Sequence, residues 1–387
     1  MPPKKKAVKD EAPLSINEQL DEKLSATKAG DQSLIDLFQY ADEFSDMELE
    51  CLSTGFPSMD LALHPKLLGM PRGRDVEIST ADGNVGKTSL AVQIAAHWQS
   101  LGYMTGIAEP EKTNTASYLN QLGLITDPKI ANDKYAVRIM RPSWDFSSDE
   151  KILYSAEQFL NAIGAASQVL DLIIVDSVDA LVQKADLDKD NDDNKQVGGI
   201  SKLLSEYFRP QTAKKATVVW INQQRTKVGA FSPSGATVMV TPGGKAIPFY
   251  SSIRIKGSRV QALKEGDNDP YGFITEWTIY KNKCAPQDRT FKLPYIHGEG
   301  FSKAYDTFNL ALKMKIIEKS GAWYQYPVGD VKKKPELKDV QGFLRAQGAR
   351  NFYQAMRDNP ATFGAIQQLI DGEDVEVSAV VEQSLSA

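Results

Sequence analysis

Apolar and polar positions along the 387 residues change rhythm from one stretch to the next, and that rhythm separates the elements. Short runs rich in apolar and β-branched residues occupy 75–80, 104–108, 170–175, 217–221, 251–256, 274–280 and 289–293, and predict strands. Apolar residues recur at helical spacing over 88–100, where Leu90, Ile94 and Trp98 share one face, and 150–168 also reads as helix. Strands alternating with helices predict an α/β domain with a largely parallel sheet over 51–327. Upstream, Leu20, Leu24, Leu34, Leu37 and Phe38 fall among charges between about residues 15 and 46, a helical pattern outside the main core. Downstream, Lys332-Lys333-Lys334-Pro335 reads as a linker-like break, followed by a smaller helical region to about residue 370. The pattern gives three parts: a tail and helical segment over 1–50, the α/β core over 51–327, and a small domain over 328–387.

Composition narrows the chemistry. The hydrophobic fraction of 42% and charged fraction of 25% belong to an ordinary soluble protein. No apolar run approaches the roughly 18–20 residues that span a bilayer. The start, Met1-Pro2-Pro3-Lys4-Lys5-Lys6, lacks the apolar stretch of a secretory signal, so a cytoplasmic protein is expected. Residues 1–15 read as a flexible basic tail. Two cysteines (Cys51, Cys284) and three histidines (His64, His97, His297) never fall at metal-ligand spacing, which argues against zinc hydrolysis and histidine-based triads.

The most informative segment is Ala81-Asp82-Gly83-Asn84-Val85-Gly86-Lys87-Thr88-Ser89, between a β-branched strand and a helix. A phosphate-binding P-loop needs that context, because glycines let backbone N–H groups turn inward and the helix N-terminus adds partial positive charge. Lys87 can then reach the β/γ-phosphates of a nucleotide, and the Thr88 hydroxyl can ligate Mg²⁺. Ala81 stands where the motif usually has its first glycine. The strand over 170–175 ends in Asp176-Ser177, where a Mg²⁺-supporting carboxylate belongs. Hydrolysis also needs a group that activates water. Glu109, Glu111 and the strand-end pair Asn222-Gln223 are all placed for work near the γ-phosphate, and spacing alone does not rank them.

Net charge is −5, which offers no bulk attraction to nucleic acid, but the charge is unevenly placed. Residues 225–292 hold eleven Lys/Arg against five Asp/Glu. This stretch opens with Arg225-Thr226-Lys227-Val228-Gly229, continues through Ser, Pro, Thr and Gly, and reaches Pro242-Gly243-Gly244-Lys245. A long irregular, basic segment of this kind suits contact with a nucleic-acid backbone. Lys202 and Arg209, seven apart, would project from one helix face, and Lys281 and Lys283 would share a strand face. The end of the chain, 371–387, has five acidic residues and no base, so it is expected to compete with DNA for the basic loops.

Taken in order, several segments resemble the bacterial RecA recombinase family, including phage-encoded relatives. They are Leu52-Ser53-Thr54-Gly55, Asp60-Leu61-Ala62-Leu63, the P-loop, Val175-Asp176-Ser177-Val178, Ile221-Asn222-Gln223 with Arg225, Pro242-Gly243-Gly244-Lys245-Ala246, Lys281-Asn282-Lys283, Gly298-Glu299-Gly300 and Gly321-Ala322-Trp323-Tyr324. The resemblance implies a RecA-like P-loop ATPase core with a mostly parallel sheet flanked by helices, an N-terminal helical segment that docks between subunits, and a small C-terminal domain. It makes Glu111 the water-activating base, Gln223 the γ-phosphate sensor, and Lys281 and Lys283 cations that reach ATP on the adjacent subunit. Tyr118 matches an aromatic residue at the adenine. Lys202, Arg209, Arg225, Lys227, Gly243 and Gly244 match DNA-backbone contacts, Lys245 extends that set, and Val197 and Val228 match apolar wedges between bases.

The implied activity is ATP-dependent pairing and strand exchange by a helical filament on single-stranded DNA. Duplex DNA, single-strand-binding proteins and loader proteins are the implied partners, in a bacterial or phage-infected cell. The alternatives are a RecA-fold protein that coats DNA, or a ring-helicase motor, without strand exchange. Four departures stand out: Thr115 replaces an adenine-reading Asp, Pro248 a basic residue near the subunit interface, Pro242 a Thr, and the first loop from Asp186 is strongly acidic.

Overall fold

The apolar runs assemble into one nine-stranded sheet. The computed structural model describes residues 16–33, 49–130, 135–145, 150–187, 199–210, 213–231, 237–264, 266, 268–329 and 342–372. By contacts the chain divides into two units, 1–49 and 50–387. The sheet lies in the second and is built from β1 (Asp75–Thr80), β2 (Thr105–Ala108), β3 (Arg138–Met140), β4 (Leu172–Val175), β5 (Thr217–Gln223), β6 (Ile253–Leu263), β7 (Gly272–Asn282), β8 (Arg289–Ile296) and β9 (Gly300–Phe301). Their order is β9-β8-β7-β6-β1-β5-β4-β2-β3. From β6 to β3 every neighbouring pair is parallel, whereas β7, β8 and β9 join antiparallel. The expected α/β architecture is therefore present, with an antiparallel extension.

Burial on both faces explains the unbroken apolar runs. In β5, Val219 and Ile221 enter one core with Trp98 and Ile94, while Val218 and Trp220 enter the other with Phe159 and Leu204. The flanking helices are α1 (Pro57–Leu63), α2 (Lys87–Ser100), α3 (Ala156–Ala166), α4 (Gly199–Phe208), α5 (Ala246–Tyr250), α6 (Lys303–Lys313), α7 (Ala349–Arg357) and α8 (Pro360–Asp371). Leu90, Ile94 and Trp98 all lie on the buried side of α2. A third core joins Leu61 of α1 to Phe308, Phe352 and Ile366 of α6, α7 and α8.

Several expectations need correction. The helix expected over 150–168 starts only at Ala156, because Ser155 caps it reciprocally with Gln158, and Glu150–Ile152 pairs instead with Ser143–Asp145. In the first unit the helix Ile16–Ala26 gives way to a hairpin of Lys28–Ala29 with Gln32–Ser33, turned at Gly30 with φ +65°. Leu34, Leu37 and Phe38 lie outside the described residues. The same holds for the tail 1–15, the break 332–335 and most of the acidic end. The region beyond Pro327 is not purely helical, since Leu344–Gln347 joins Trp323–Tyr326 and Glu318–Ser320 in a small sheet. Among the described residues no helix is long and apolar enough to cross a membrane.

Two buried carboxylates tie α1 to its surroundings. Asp306 of α6 accepts from the Ser58 backbone N–H at 3.1 Å and from the Ser58 hydroxyl. Asp60 accepts from Ser53 Oγ at 2.6 Å, Thr54 N at 2.7 Å and Thr54 Oγ1 at 2.6 Å. Burial pushes both acids up to about 7, against the opposing hydrogen bonds. An acid whose folded pKa exceeds its unfolded value stabilises most at low pH and loses that contribution as pH rises toward the folded pKa. An Asp306→Asn variant, which lacks this dependence, should gain on the wild type in thermal midpoint between about pH 5 and about pH 8. A gap that stays flat across that range would contradict the assignment.

Candidate active site

The phosphate loop emerges from β1 and feeds straight into α2. Residues Gly83–Val85 make a single tight turn, and Gly86 adopts φ +93° to start the helix. Only glycine suits that position: a Cβ there would lie in strained backbone and within 3.1 Å of the Phe301 ring. Lys87 is nearly buried and its Nζ donates to Thr80 Oγ1 at 2.8 Å, while Thr80 Oγ1 donates to the Asp82 carbonyl at 2.5 Å. Burial lowers the Lys87 pKa, and the charges of Asp176, Glu111, Asp179 and Asp82 oppose that shift.

Asp176 follows β4 immediately and so stands at the carboxyl end of the sheet, beside the loop. Its Oδ2 accepts from Thr88 Oγ1 at 2.8 Å. Burial raises its pKa to about 6, with the Thr88 hydrogen bond opposing and Glu111 adding to the rise. A hydroxyl and a carboxylate in contact are a fit donor pair for Mg²⁺, which takes only one or two protein oxygens when phosphate and water supply the rest. Among the described residues no group of three or more His, Cys, Asp or Glu side chains is arranged to hold a metal by itself.

The two glutamates left level by spacing differ sharply in surroundings. Glu109 is fully buried; its Oε1 accepts from Thr113 N at 2.7 Å and Asn114 N at 2.5 Å, and Arg141 lies 3.8 Å from Oε2. It therefore holds the turn that follows it. Glu111, on that turn, is exposed and accepts from the Ser177 hydroxyl. Thr115 caps the short helix Ala116–Gln121 by accepting from Tyr118 N at 3.2 Å. Tyr118 Oη pairs with Ser89 Oγ at 2.8 Å, which sets the ring against the loop.

A cavity of about 440 Å³ opens over this loop. One wall is Gly83, Asn84 and Gly86 to Ser89, with Tyr118; the other is Arg259, Phe273, Tyr295 and His297. Phe273 and Tyr295 stack with centroids 4.8 Å apart, and Arg259 Cζ lies 3.5 Å from the Phe273 centroid. The pattern of the sequence missed this wall, which gathers β6, β7 and β8 from positions far apart in the chain. Its one signal was His297, beside Gly298-Glu299-Gly300.

Gln223 is the last residue of β5 and registers opposite Thr80, one strand from the phosphate loop. Lys281 and Lys283 are not brought to this cavity. Because β7 runs against β6, Lys281 registers with Arg254, and Arg254 with Glu77, toward the amino end of the parallel strands. There Lys281 Nζ donates to the carbonyls of Pro248 at 2.7 Å and Phe249 at 3.0 Å, and Lys283 Nζ to Phe249 at 3.4 Å. Burial, with Lys283 and Arg254 nearby, lowers the Lys281 pKa to about 8.

The segment expected to be irregular after Gln224 is a hairpin: Arg225–Phe231 pairs antiparallel with Thr237–Val240. Its β-branched residues explain the pairing. Lys227 and Val228 lie on the first strand, Arg225 pairs with Asp179 at 2.8 Å, and Val197 lies outside the described residues. Beyond the hairpin, Gly243 and Gly244 take φ +83° and +66° and lie so close to α4 that a Cβ would meet Leu204 and Ser201. Lys245 is exposed at the start of α5. Lys202 is exposed on α4 near Glu206, and Arg209 directly follows the last residue of that helix.

Known proteins carry similar sequences. A family profile for the RecA N-terminal domain matches residues 19–302. Proteins named RecA are 30% identical over 400 residues in Bifidobacterium breve (99% of this chain, 89% of the relative) and 32% identical over 328 residues in Heliobacterium modesticaldum (84% of each). The RecA of Rhodopirellula baltica is 35% identical over 284 residues, 72% of this chain and 69% of its own.

Proposed function

This chain belongs to the RecA family, and from that premise we propose that it is an ATP-dependent DNA recombinase that assembles on single-stranded DNA and exchanges strands with a homologous duplex. The observation that carries this reading is a cavity lined by Lys87 and Thr88, with Asp176 hydrogen-bonded to Thr88, Glu111 hydrogen-bonded to Ser177 next to Asp176, and Gln223 on the neighbouring strand end. The turn 81–89 binds the triphosphate of ATP through inward N–H groups and the Lys87 ammonium. Thr88 and Asp176 would hold Mg²⁺, which neutralises phosphate charge as it is redistributed. Glu111 takes a proton from the attacking water, and the Ser177 hydroxyl steadies its carboxylate. Tyr118 and the Phe273–Tyr295 wall offer flat surfaces to the base.

Gln223 senses the γ-phosphate and relays its loss to the hairpin and the Gly243-Gly244 turn, which with Lys202, Arg209, Arg225, Lys227 and Lys245 face the DNA backbone. Val197 and Val228 wedge between bases. Lys281 and Lys283, remote from their own cavity, serve the cavity of the next copy in a helical filament. Single-strand-binding and loader proteins are further partners, in the cytoplasm.

The test is pairing between circular single-stranded DNA and a homologous linear duplex, with ATP. Joint molecules are expected with the wild type. Their absence would overturn the recombinase reading, and strand displacement by closed hexamers would put a ring motor in its place.

A further inference from the structure

Between the proposed sensor and the proposed DNA-facing turn lies a small polar network sealed inside the sheet. Glu77 of β1 and Asn222 of β5 are both fully buried. A buried carboxylate and a buried amide are costly unless their polar atoms are matched. Here they match each other: Asn222 Nδ2 donates to Glu77 Oε1 at 3.0 Å, and Arg254 Nε donates to Glu77 Oε2 at 2.5 Å. Arg254 is itself steadied over the Tyr280 ring, with Cζ 4.8 Å from the centroid.

Asn222 has two further contacts, and these give the network its direction. Its Oδ1 accepts from the backbone N–H of Gln223 at 3.0 Å. Its Nδ2 also donates to the Pro242 carbonyl at 3.2 Å, immediately before Gly243 and Gly244. One side chain thus touches the sensor residue, a fixed buried ion pair, and the entrance of the turn that packs on α4. Packing alone needs no amide in this core position, since a buried polar pair is often replaceable by apolar residues of similar volume.

We propose that Asn222 is a positioning residue that couples Gln223 to the 242–245 turn. This rests on the reading of Gln223 as sensor and of the turn as DNA-facing. Glu77, clamped by Arg254, is the stationary end. When Gln223 moves toward bound nucleotide, its N–H carries the Asn222 amide with it. The hydrogen bond to Pro242 changes, and the Gly243-Gly244 turn shifts against Ser201 and Leu204 of α4. The glycines allow that shift without a side chain to clear.

The experiment compares wild type with Asn222→Ala. Anisotropy of a labelled oligothymidylate is titrated with and without a non-hydrolysable ATP analogue, and analogue affinity is measured separately. The variant should lose about tenfold of the analogue-induced gain in DNA affinity, as for one buried hydrogen bond, with analogue affinity and analogue-free DNA affinity nearly unchanged. A gain preserved in the variant overturns the role of Asn222 alone. A fall in all three quantities together also overturns it, because a merely structural residue behaves that way. A wild type with no gain overturns the proposed function and this inference with it. If the variant does not fold, hydrogen exchange on the wild type decides: backbone amides at 243–245 should change protection when the analogue binds, and unchanged protection overturns the coupling.

Discussion

Lys87→Ala should lower ATP turnover by about 10²–10³-fold, the loss typical of removing one preorganised donor from developing negative charge. The structure makes this substitution unusually severe. Lys87 is nearly buried, and its ammonium is aimed by Thr80 from the adjoining strand end. Asp82, Glu111, Asp176 and Asp179 all act on it electrostatically. Without the cation, the carboxylates near it repel an incoming triphosphate more strongly, and nucleotide affinity falls along with turnover. Phosphate release with single-stranded DNA present, alongside titration with a fluorescent nucleotide, measures both. Turnover close to wild type would place the reaction elsewhere in the molecule.

Glu111→Gln should separate the same two quantities. The substitution keeps the shape of the side chain and an oxygen that accepts from Ser177, but it removes the proposed base. Turnover should drop by about 10²–10⁴-fold, the usual contribution of a positioned general base, with nucleotide affinity kept. The variant should hold DNA in ATP as persistently as the wild type holds it with a non-hydrolysable analogue. Glu109→Gln provides the contrast. Glu109 is fully buried and accepts from Thr113 and Asn114, so its loss should act through the order of the turn and lower stability as well. Single-turnover hydrolysis and DNA dissociation rates on both variants settle which glutamate does the chemistry.

Much of this was legible in the sequence because local pattern and local structure coincide there. The runs that became β4 and β5 are apolar on both faces, as strands covered by helices must be, and the phosphate loop needs only nine consecutive residues. Elsewhere local pattern misled. Ser, Pro and Gly around 229–236 masked the β-branched residues of a hairpin. The helical reading of 150–168 overlooked Ser155 as a cap, although Gln158 stands at the matching distance. Glu109 and Glu111, two residues apart, are alike on paper; only the fold shows that one is enclosed by the turn it organises and the other exposed on it. The wall of Arg259, Phe273 and Tyr295 depends on three strands meeting, and no spacing rule connects such positions. The network of Glu77, Asn222 and Arg254 escaped for the same reason, since polar residues within strands read simply as interruptions.

The reversal of β7 has one more consequence. It separates the phosphate loop from Lys281 and Lys283, so that under the proposed function the complete set of charges belongs to no single chain. A row of copies stacked head to tail then has one junction fewer than it has members. The copy at one end holds nucleotide without borrowed cations, and the copy at the other lends cations that nothing uses. Specific activity should therefore depend on the average length of the row, rising as the ends become a smaller share of it. Under the proposed function, the working unit is the joint between two molecules.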